Sequence, residues 1–412
     1  MLNLKKVEET LLFLTVFFLP TQLGKHFWPD FSFVYSLPID YLSPTLYFWD
    51  ILVILLCIIF IIKKEHINRK AIILFYFFIF IESLSLLISQ NIGVGLVRLE
   101  QYLISGLFGV YIASCDLSRV KNILFWGLGL SIIMESSLAI LQFIKGETLG
   151  LWILGERTFS ISTPGIAKFD FKGIQFLRPY GTFPHPNVLA GFMVIAPLIV
   201  VTLRETKDIY SSLAFKMTVF FAGVATILSV SRVAILTGYL EAAFLLNRKW
   251  KMILVGVVLI LLPFIFIRFS SIFTFDSLTI LRREELAENS WKMFTSSPIM
   301  GIGLNNFIPS SAQGLISGPS RFLQPVHNIF LLTLSETGLV GLLGLLITFG
   351  YPVWKLIKLR ITNNEQRTLL IIWGVIIFLG IFDHYFLTLP QGYRLLFLIW
   401  GLSFSLVLKT NI

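Results

Sequence analysis

Four polar segments of this chain place arginines, histidines and turn-forming residues at spacings that can handle a phosphate and a proton. In the first, Arg178, Pro179, Tyr180, Gly181, Thr182, Phe183, Pro184, His185, Pro186 and Asn187 run directly into an apolar stretch. A planar guanidinium grips phosphate through two parallel charge-assisted hydrogen bonds. An arginine stem can equally lie along apolar surface and rest its head on lipid phosphates. Pro186 suits the first turn of a helix, where a missing N–H leaves nothing unbonded, and His185 beside it reads as a loop or cap residue. In the second segment, Ser231 and Arg232 occupy a very short turn between two apolar runs. An arginine at a bilayer centre costs at least ~2.5–3.5 kcal/mol, so Arg232 belongs near the interface, as a turn residue or as an anion contact.

The third segment starts Leu281, Arg282, Arg283, Glu284, Glu285, Leu286, continues to Trp291, Met293 and Phe294, and ends in Ser297, Pro298, Gly301, Gly303, Asn305 and Phe307. It reads as a helix lying on a membrane surface. Arg283, Ala287 and Trp291 are four apart and share a face, with Arg283 turned inward and Trp291 at the interface; a solvated amphipathic helix fits the same pattern. The glycines after Pro298 allow a tight return of the backbone. The fourth segment holds Pro325, Val326, His327 and Asn328, then Glu336, Gly338, Gly341 and Gly344. An imidazole of ordinary pKa, ~6.5, is the natural general base near neutrality, although a lone interfacial histidine is more often a structural hydrogen-bonding group. Glu336 lies nine residues on, half a turn out of phase at ~100° per residue, and does not back His327 on one face. The three glycines fit close helix packing.

The elements that must position these segments are membrane helices. The chain has 412 residues, 56% hydrophobic and 15% aromatic, with a mean hydropathy of +0.83, which excludes an ordinary soluble domain. A span needs ~20 mainly apolar residues. Candidate runs lie near 8–20, 47–62, 71–89, 95–114, 120–144, 186–203, 213–230, 233–246, 250–268, 326–354, 368–387 and 391–408. The expected architecture is therefore all-α: a polytopic integral membrane protein of about twelve transmembrane helices, one membrane domain over 1–412.

Lysines and arginines near span ends stay on the cytoplasmic side. Lys5 and Lys6; Lys63, Lys64, Arg69 and Lys70; Arg119 and Lys121; Arg204 and Lys207; Arg248, Lys249 and Lys251; Lys355, Lys358, Arg360 and Arg367; and Lys409 all fall on one side of this alternation. Both termini are then cytoplasmic, and segments 21–46, 145–185 and 269–325 lie outside. Connections that long are functional more often than they are mere turns, and they are expected to be partly helical.

The formal charge of +10 comes from short basic clusters between apolar runs, so nucleic acid is not the implied partner. Cys57 and Cys115 lie in or beside apolar runs and offer neither a disulfide framework nor a thiolate metal site. The first apolar run follows Lys5 and Lys6 without a small-residue cleavage pattern and reads as a retained span. No internal repeat is evident, whereas a transporter of two related halves would carry one.

Together the four segments resemble the O-antigen ligase and O-antigen polymerase family of bacterial surface-glycan enzymes. The resemblance covers 178–344 and is carried by RPYGTFPHPNVLAG, SVSR at 229–232, RREELAENSWKMFTSSPIMGIGLNNF and PVHNIFLLTLSETGLVG. It implies a glycosyltransferase-C-like fold in the bacterial cytoplasmic (inner) membrane. The implied enzyme is metal-independent, inverting and without a cofactor. It moves a glycan from undecaprenyl pyrophosphate to a sugar hydroxyl, on lipid A core for a ligase or on another lipid-linked glycan for a polymerase. His327 matches the family's proposed base; Arg178 and Arg283 match its arginines, with Arg282 an alternative to Arg283 and Arg232 a weaker addition. His185, Asn328 and Glu336 are candidate supports. The usual aromatic after the loop arginine is displaced here: Leu286 stands nearer that place and Trp291 comes later. Two other classes use different residues. A lipid-linked glycan flippase would draw on intramembrane charges such as Arg98, Glu100 and Glu135, and a metal-dependent transferase on Asp30 or Asp40.

Overall fold

The computed structural model describes residues 4–171, 173–203, 213–245, 278–313, 323–358 and 364–408. Its helices are α1 (Leu4–Phe17), α2 (Phe48–Ile62), α3 (Arg69–Leu84), α4 (Ile92–Ser114), α5 (Leu117–Lys145), α6 (Pro186–Thr202), α7 (Leu213–Leu228) and α8 (Arg232–Leu245). There follow α9 (Leu278–Ser296), α10 (Phe307–Ala312), α11 (Ile329–Lys358), α12 (Asn364–Phe382), α13 (Tyr385–Thr388) and α14 (Pro390–Leu408). The expected run near 250–268 lies outside the described residues, as do Arg204, Lys207, Arg248, Lys249, Lys251, Arg360 and Lys409. Every other expected run is helical. Among the described residues four helices are long and apolar enough to cross a membrane: α3 with its continuation to Ile88, α5, α11 and α12; α2, α6 and α7 are apolar but shorter. The chain is thus a multi-pass membrane protein. Apolar side chains on every face of α6 make it a central helix, buried from Pro186 to Thr202 at almost every position.

The two ends of the helix bundle differ in chemistry. At one end Glu8 accepts Lys63 at 2.6 Å and Arg119 at 2.9 Å, gathering α1, α2 and α5. At the other, segments 21–46, 145–185 and the described part of 269–325 form one layer. Thr21 Oγ1 donates to Leu154 O at 2.6 Å, Arg157 pairs with Asp40 at 2.6 Å, and Asn305 Nδ2 donates to Tyr41 O at 3.0 Å. The Tyr35 hydroxyl donates to Ala312 O.

These loops correct the all-α expectation of partly helical connections, because they hold three two-stranded antiparallel sheets: β1 (Gly24–His26) with β4 (Thr45–Tyr47), β2 (Phe33–Val34) with β3 (Leu37–Pro38), and β5 (Lys168–Phe171) with β6 (Ile174–Leu177). The last forms because strand alternation sets Phe169 opposite Phe176, where both rings stack on Phe143 of α5.

A second correction concerns Gly338, expected to pack helices closely. It breaks α11 instead, with φ 65° and ψ −161°, a region open essentially to glycine alone. The segment after Pro298 repairs the break: Ile302 N donates to Ser335 O (2.9 Å), Gly303 N to Glu336 O (2.8 Å), Leu339 N to Pro298 O (2.9 Å) and Val340 N to Ile299 O (3.1 Å). Broken backbone at membrane depth survives where protein groups satisfy it in this way. A Cβ on Gly338 would lie 2.4 Å from Ile299 O. Gly344 does pack closely, against Ile81 of α3.

Candidate functional site

The turn carrying Arg178 is pegged by α5. Glu135 and Gln142 are seven residues apart and share a helix face. Glu135 accepts from Thr182 N (2.8 Å) and Thr182 Oγ1 (2.6 Å), while Gln142 Oε1 accepts from Tyr180 N (2.9 Å) and Gly181 N (2.8 Å). Gly181 has φ 60°, and a Cβ there would sit 2.5 Å from Glu135 Oε2, so the turn tolerates only glycine. Arg178, held at its edge, is 9% exposed and does not snorkel to the surface. Its Nε donates to Ser229 O at 2.6 Å and its Nη2 to Asn187 Oδ1 at 2.8 Å. That carbonyl is presented by the α7–α8 turn, where the β-branched Val230 adopts φ 51°, an uncommon and strained conformation. His185 caps α6, its Nδ1 accepting from Asn187 N at 3.1 Å.

The opposite wall comes from α9, α11 and the α12–α13 turn. The face of α9 that packs inward carries Leu286, Ser290 and Met293, and Ser290 Oγ donates to Leu331 O of α11 at 2.8 Å. Arg283 lies at i−3 and i−7 to the first two and shares their stripe. Trp291, expected on the same face, diverges from it and is 54% exposed. His327 precedes Asn328, which caps the first turn of α11: its Oδ1 accepts from Phe330 N and Leu331 N (2.9 Å each) and its Nδ2 donates to Ile381 O at 3.1 Å. Asn328 thereby seats His327 beside the end of α12.

That end supplies Asp383 and His384, neither of them among the residues expected from the sequence. Their turn is clamped from α4, where Arg98 Nη1 donates to Thr388 O at 2.7 Å and Tyr102 to Leu387 O at 2.8 Å. Asp383 Oδ2 accepts from Asn187 Nδ2 at 3.3 Å. The His327 and His384 rings meet edge to face, centroids 5.2 Å apart, and ligand atoms of His327, Asp383 and His384 all lie within 4.8 Å of one another. The spacing serves an imidazole–carboxylate pair and would also accept a divalent cation.

A small cavity is lined by Asn187, Ser231, Arg283, Asp383 and Tyr385, among others. Arg283, Asn187 and Asp383 are thus brought together, with His327 and Arg178 one contact away. Ser231 rather than Arg232 faces this space, and Arg282 does not line it. Glu336 stands apart: its Oε1 accepts from Phe307 N at 3.2 Å, and with Glu82 it lines a separate cavity.

His327, Asp383, His384 and His185 all lie in connections outside the helices. Burial pushes the His327 imidazole below its ordinary pKa; the Arg283 charge acts the same way and Asp383 opposes it. Burial, then Arg178, pushes His185 down to about 3. Burial works against the Asp383 carboxylate, but His384, His327, His185 and Arg283 together hold it below the usual range. At neutral pH the site therefore presents a neutral His327 beside an ionised Asp383.

An Asp-His pair within an apolar run was the signal available for Asp383 and His384, since ionisable residues at membrane depth are costly and rarely idle. Reading 368–387 as one span hid it.

The helices and the polar cluster at one end of the bundle define a multi-pass membrane protein with a charged, enclosed site among its loops. Residues 217–346 match the family model described as O-Antigen ligase, a likeness that supports glycan transfer of the ligase or polymerase type. The match takes in Arg232, Arg282, Arg283, His327, Asn328 and Glu336. No curated protein matches the chain.

Proposed function

We propose that the chain transfers a glycan from undecaprenyl pyrophosphate to a sugar hydroxyl of lipid A core, as an O-antigen ligase on the outer face of the bacterial inner membrane, with about twelve crossings and both termini cytoplasmic. The observation that carries the reading is the convergence of Arg283, Asn187 and Asp383 on one cavity beside His327. Neutral His327 takes the acceptor's hydroxyl proton as that oxygen bonds to the donor's anomeric carbon. The bond from that carbon to phosphate breaks on the opposite face, inverting the centre, and its electron pair leaves on the pyrophosphate. Arg283 meets the departing phosphate from the cavity wall and Arg178 adds its charge from behind Asn187; fixed cations aimed at developing charge lower the barrier. Asp383, its carboxylate within 4.8 Å of a His327 ring nitrogen, stabilises the imidazolium by its charge. No metal takes part in this scheme.

The test uses protein reconstituted in lipid vesicles with undecaprenyl-pyrophosphate-linked glycan and either lipid A core or a second lipid-linked glycan as acceptor. Replacing His327 by Ala removes a general base worth roughly 10²–10⁴ in rate, and transfer should fall by that order with the thermal midpoint retained. Transfer to the second acceptor alone would make the enzyme a polymerase. Wild-type transfer to neither would overturn the reading, and transfer abolished by chelator and restored by a divalent cation would reassign His327, Asp383 and His384 to a metal.

A further inference from the structure

A second space lies against the neighbours of His384. This cleft shares no lining residue with the Arg283 cavity and is walled by segments 21–46 and 145–185 together with the α13–α14 junction. It reaches the reaction centre through Tyr41, whose ring lies 5.8 Å from that of His384, and through Thr388, whose Oγ1 is 2.6 Å from His384 Nδ1. From the proposed functional reading, on which this inference rests, we infer that the cleft is the subsite for the terminal sugar of the glycan acceptor.

The lining has the chemistry of carbohydrate recognition. Gln101, 8% exposed, gives its Oε1 to Arg98 at 2.9 Å, and Gln22 gives its Oε1 to Arg157 at 3.2 Å. A guanidinium only donates, so both amides are fixed with their NH₂ groups turned away from the arginines. Gln22 Nε2 is buried without a partner, and Gln101 Nε2 donates to no acceptor among the described residues. An unmet buried donor is costly; a ligand hydroxyl would meet the Gln22 amide, and a second would take the Gln101 amide beside it. The Asp40 carboxylate, an acceptor for sugar hydroxyls, also faces the cleft, as do the rings of Tyr41 and Tyr47. At the rim Trp28 stacks on His26, centroids 5.3 Å apart and 14° between planes, and is 40% exposed. Its open face is a platform for the apolar face of a pyranose.

Charge selects the occupant. Arg157 is paired with Asp40 at 2.6 Å, and burial holds His26 below its ordinary pKa, so the cleft offers no uncompensated cation for a phosphate. The Arg283 cavity carries that charge instead. A neutral, hydroxyl-rich group would then occupy the cleft and a pyrophosphate the cavity.

The experiment binds labelled, detergent-solubilised protein to an array printed with deacylated lipopolysaccharide core oligosaccharides and with neutral and acidic surface-polysaccharide repeats. Wild type is expected to bind core oligosaccharide. Gln22→Ala and Trp28→Ala, the latter at an exposed position that folding tolerates, should weaken binding at least about tenfold, and Arg283→Ala should leave it within about twofold. In transfer assays the same two cleft variants should raise the acceptor KM about tenfold with the donor KM unchanged. Cleft variants that bind like wild type, a wild type that binds no glycan, or a rise in donor KM alone would each overturn the subsite. Wild type that binds glycan yet transfers none would defeat the proposed function and leave the subsite standing.

Discussion

Replacing Arg178 by Lys keeps the charge and removes the fork, so it isolates what the fork does. Arg178 reaches two acceptors from two different nitrogens, Ser229 O at 2.6 Å and Asn187 Oδ1 at 2.8 Å, and it is 9% exposed. A single ammonium nitrogen cannot stand at both positions. One charge-assisted bond is lost, worth about 1.5–3 kcal/mol. If the Ser229 bond survives, Asn187 loses the donor that orients it, and its own bond to Asp383 at 3.3 Å loosens with it. At 1.36 kcal/mol per tenfold, kcat/KM for glycan transfer should fall by about 10- to 150-fold. The assay is initial-rate transfer in vesicles with donor and acceptor varied separately, alongside the thermal midpoint. Because Asn187 joins Arg178 to Asp383, the loss should appear mainly in kcat. A variant within twofold of wild-type kcat/KM would refute the reasoning, as would a loss matched fully by Arg178→Ala in stability with no kinetic effect.

The cavity lining separates the adjacent arginines: Arg283→Lys should cut transfer at least about tenfold, and Arg282→Lys less than about threefold, measured in the same assay. With the His327 pKa depressed, activity that needs its neutral form should rise through an acid limb with a midpoint below 6.5 and stay flat across neutral pH. Asp383→Asn removes the one charge that raises this pKa and should move the limb to lower pH while lowering the plateau; a limb moved upward in the kcat/KM profile would contradict the assignment. Gly338→Ala forces a Cβ against Ile299 O in a conformation costing about 1–3 kcal/mol, and should lower the thermal midpoint and the folded yield far more than Gly350→Ala, which meets no neighbouring atom within 4 Å.

The sequence by itself determined the membrane class, nearly every helix, and the four segments that bring Arg178, Arg283 and His327 to one end of the bundle. These were legible because burial in lipid demands long apolar runs, and because arginine and proline at their margins are conspicuous against so apolar a background. His185 as a cap, Pro186 as a helix start and Glu336 out of phase with His327 followed from local geometry alone. Only the tertiary structure decided the rest. Asp383 lies 196 residues from the Asn187 it accepts from, and no periodicity connects them. Whether Arg283 or Arg282 faces the cavity depends on how α9 rolls against α11, an angle set by Leu286, Ser290 and Met293 packing against a distant element. Gly338 looked like a packing residue because its break is meaningful only beside the 298–303 segment that mends it. Spacing along the chain specifies a helix face; which surface that face meets is set by contacts between residues far apart in sequence.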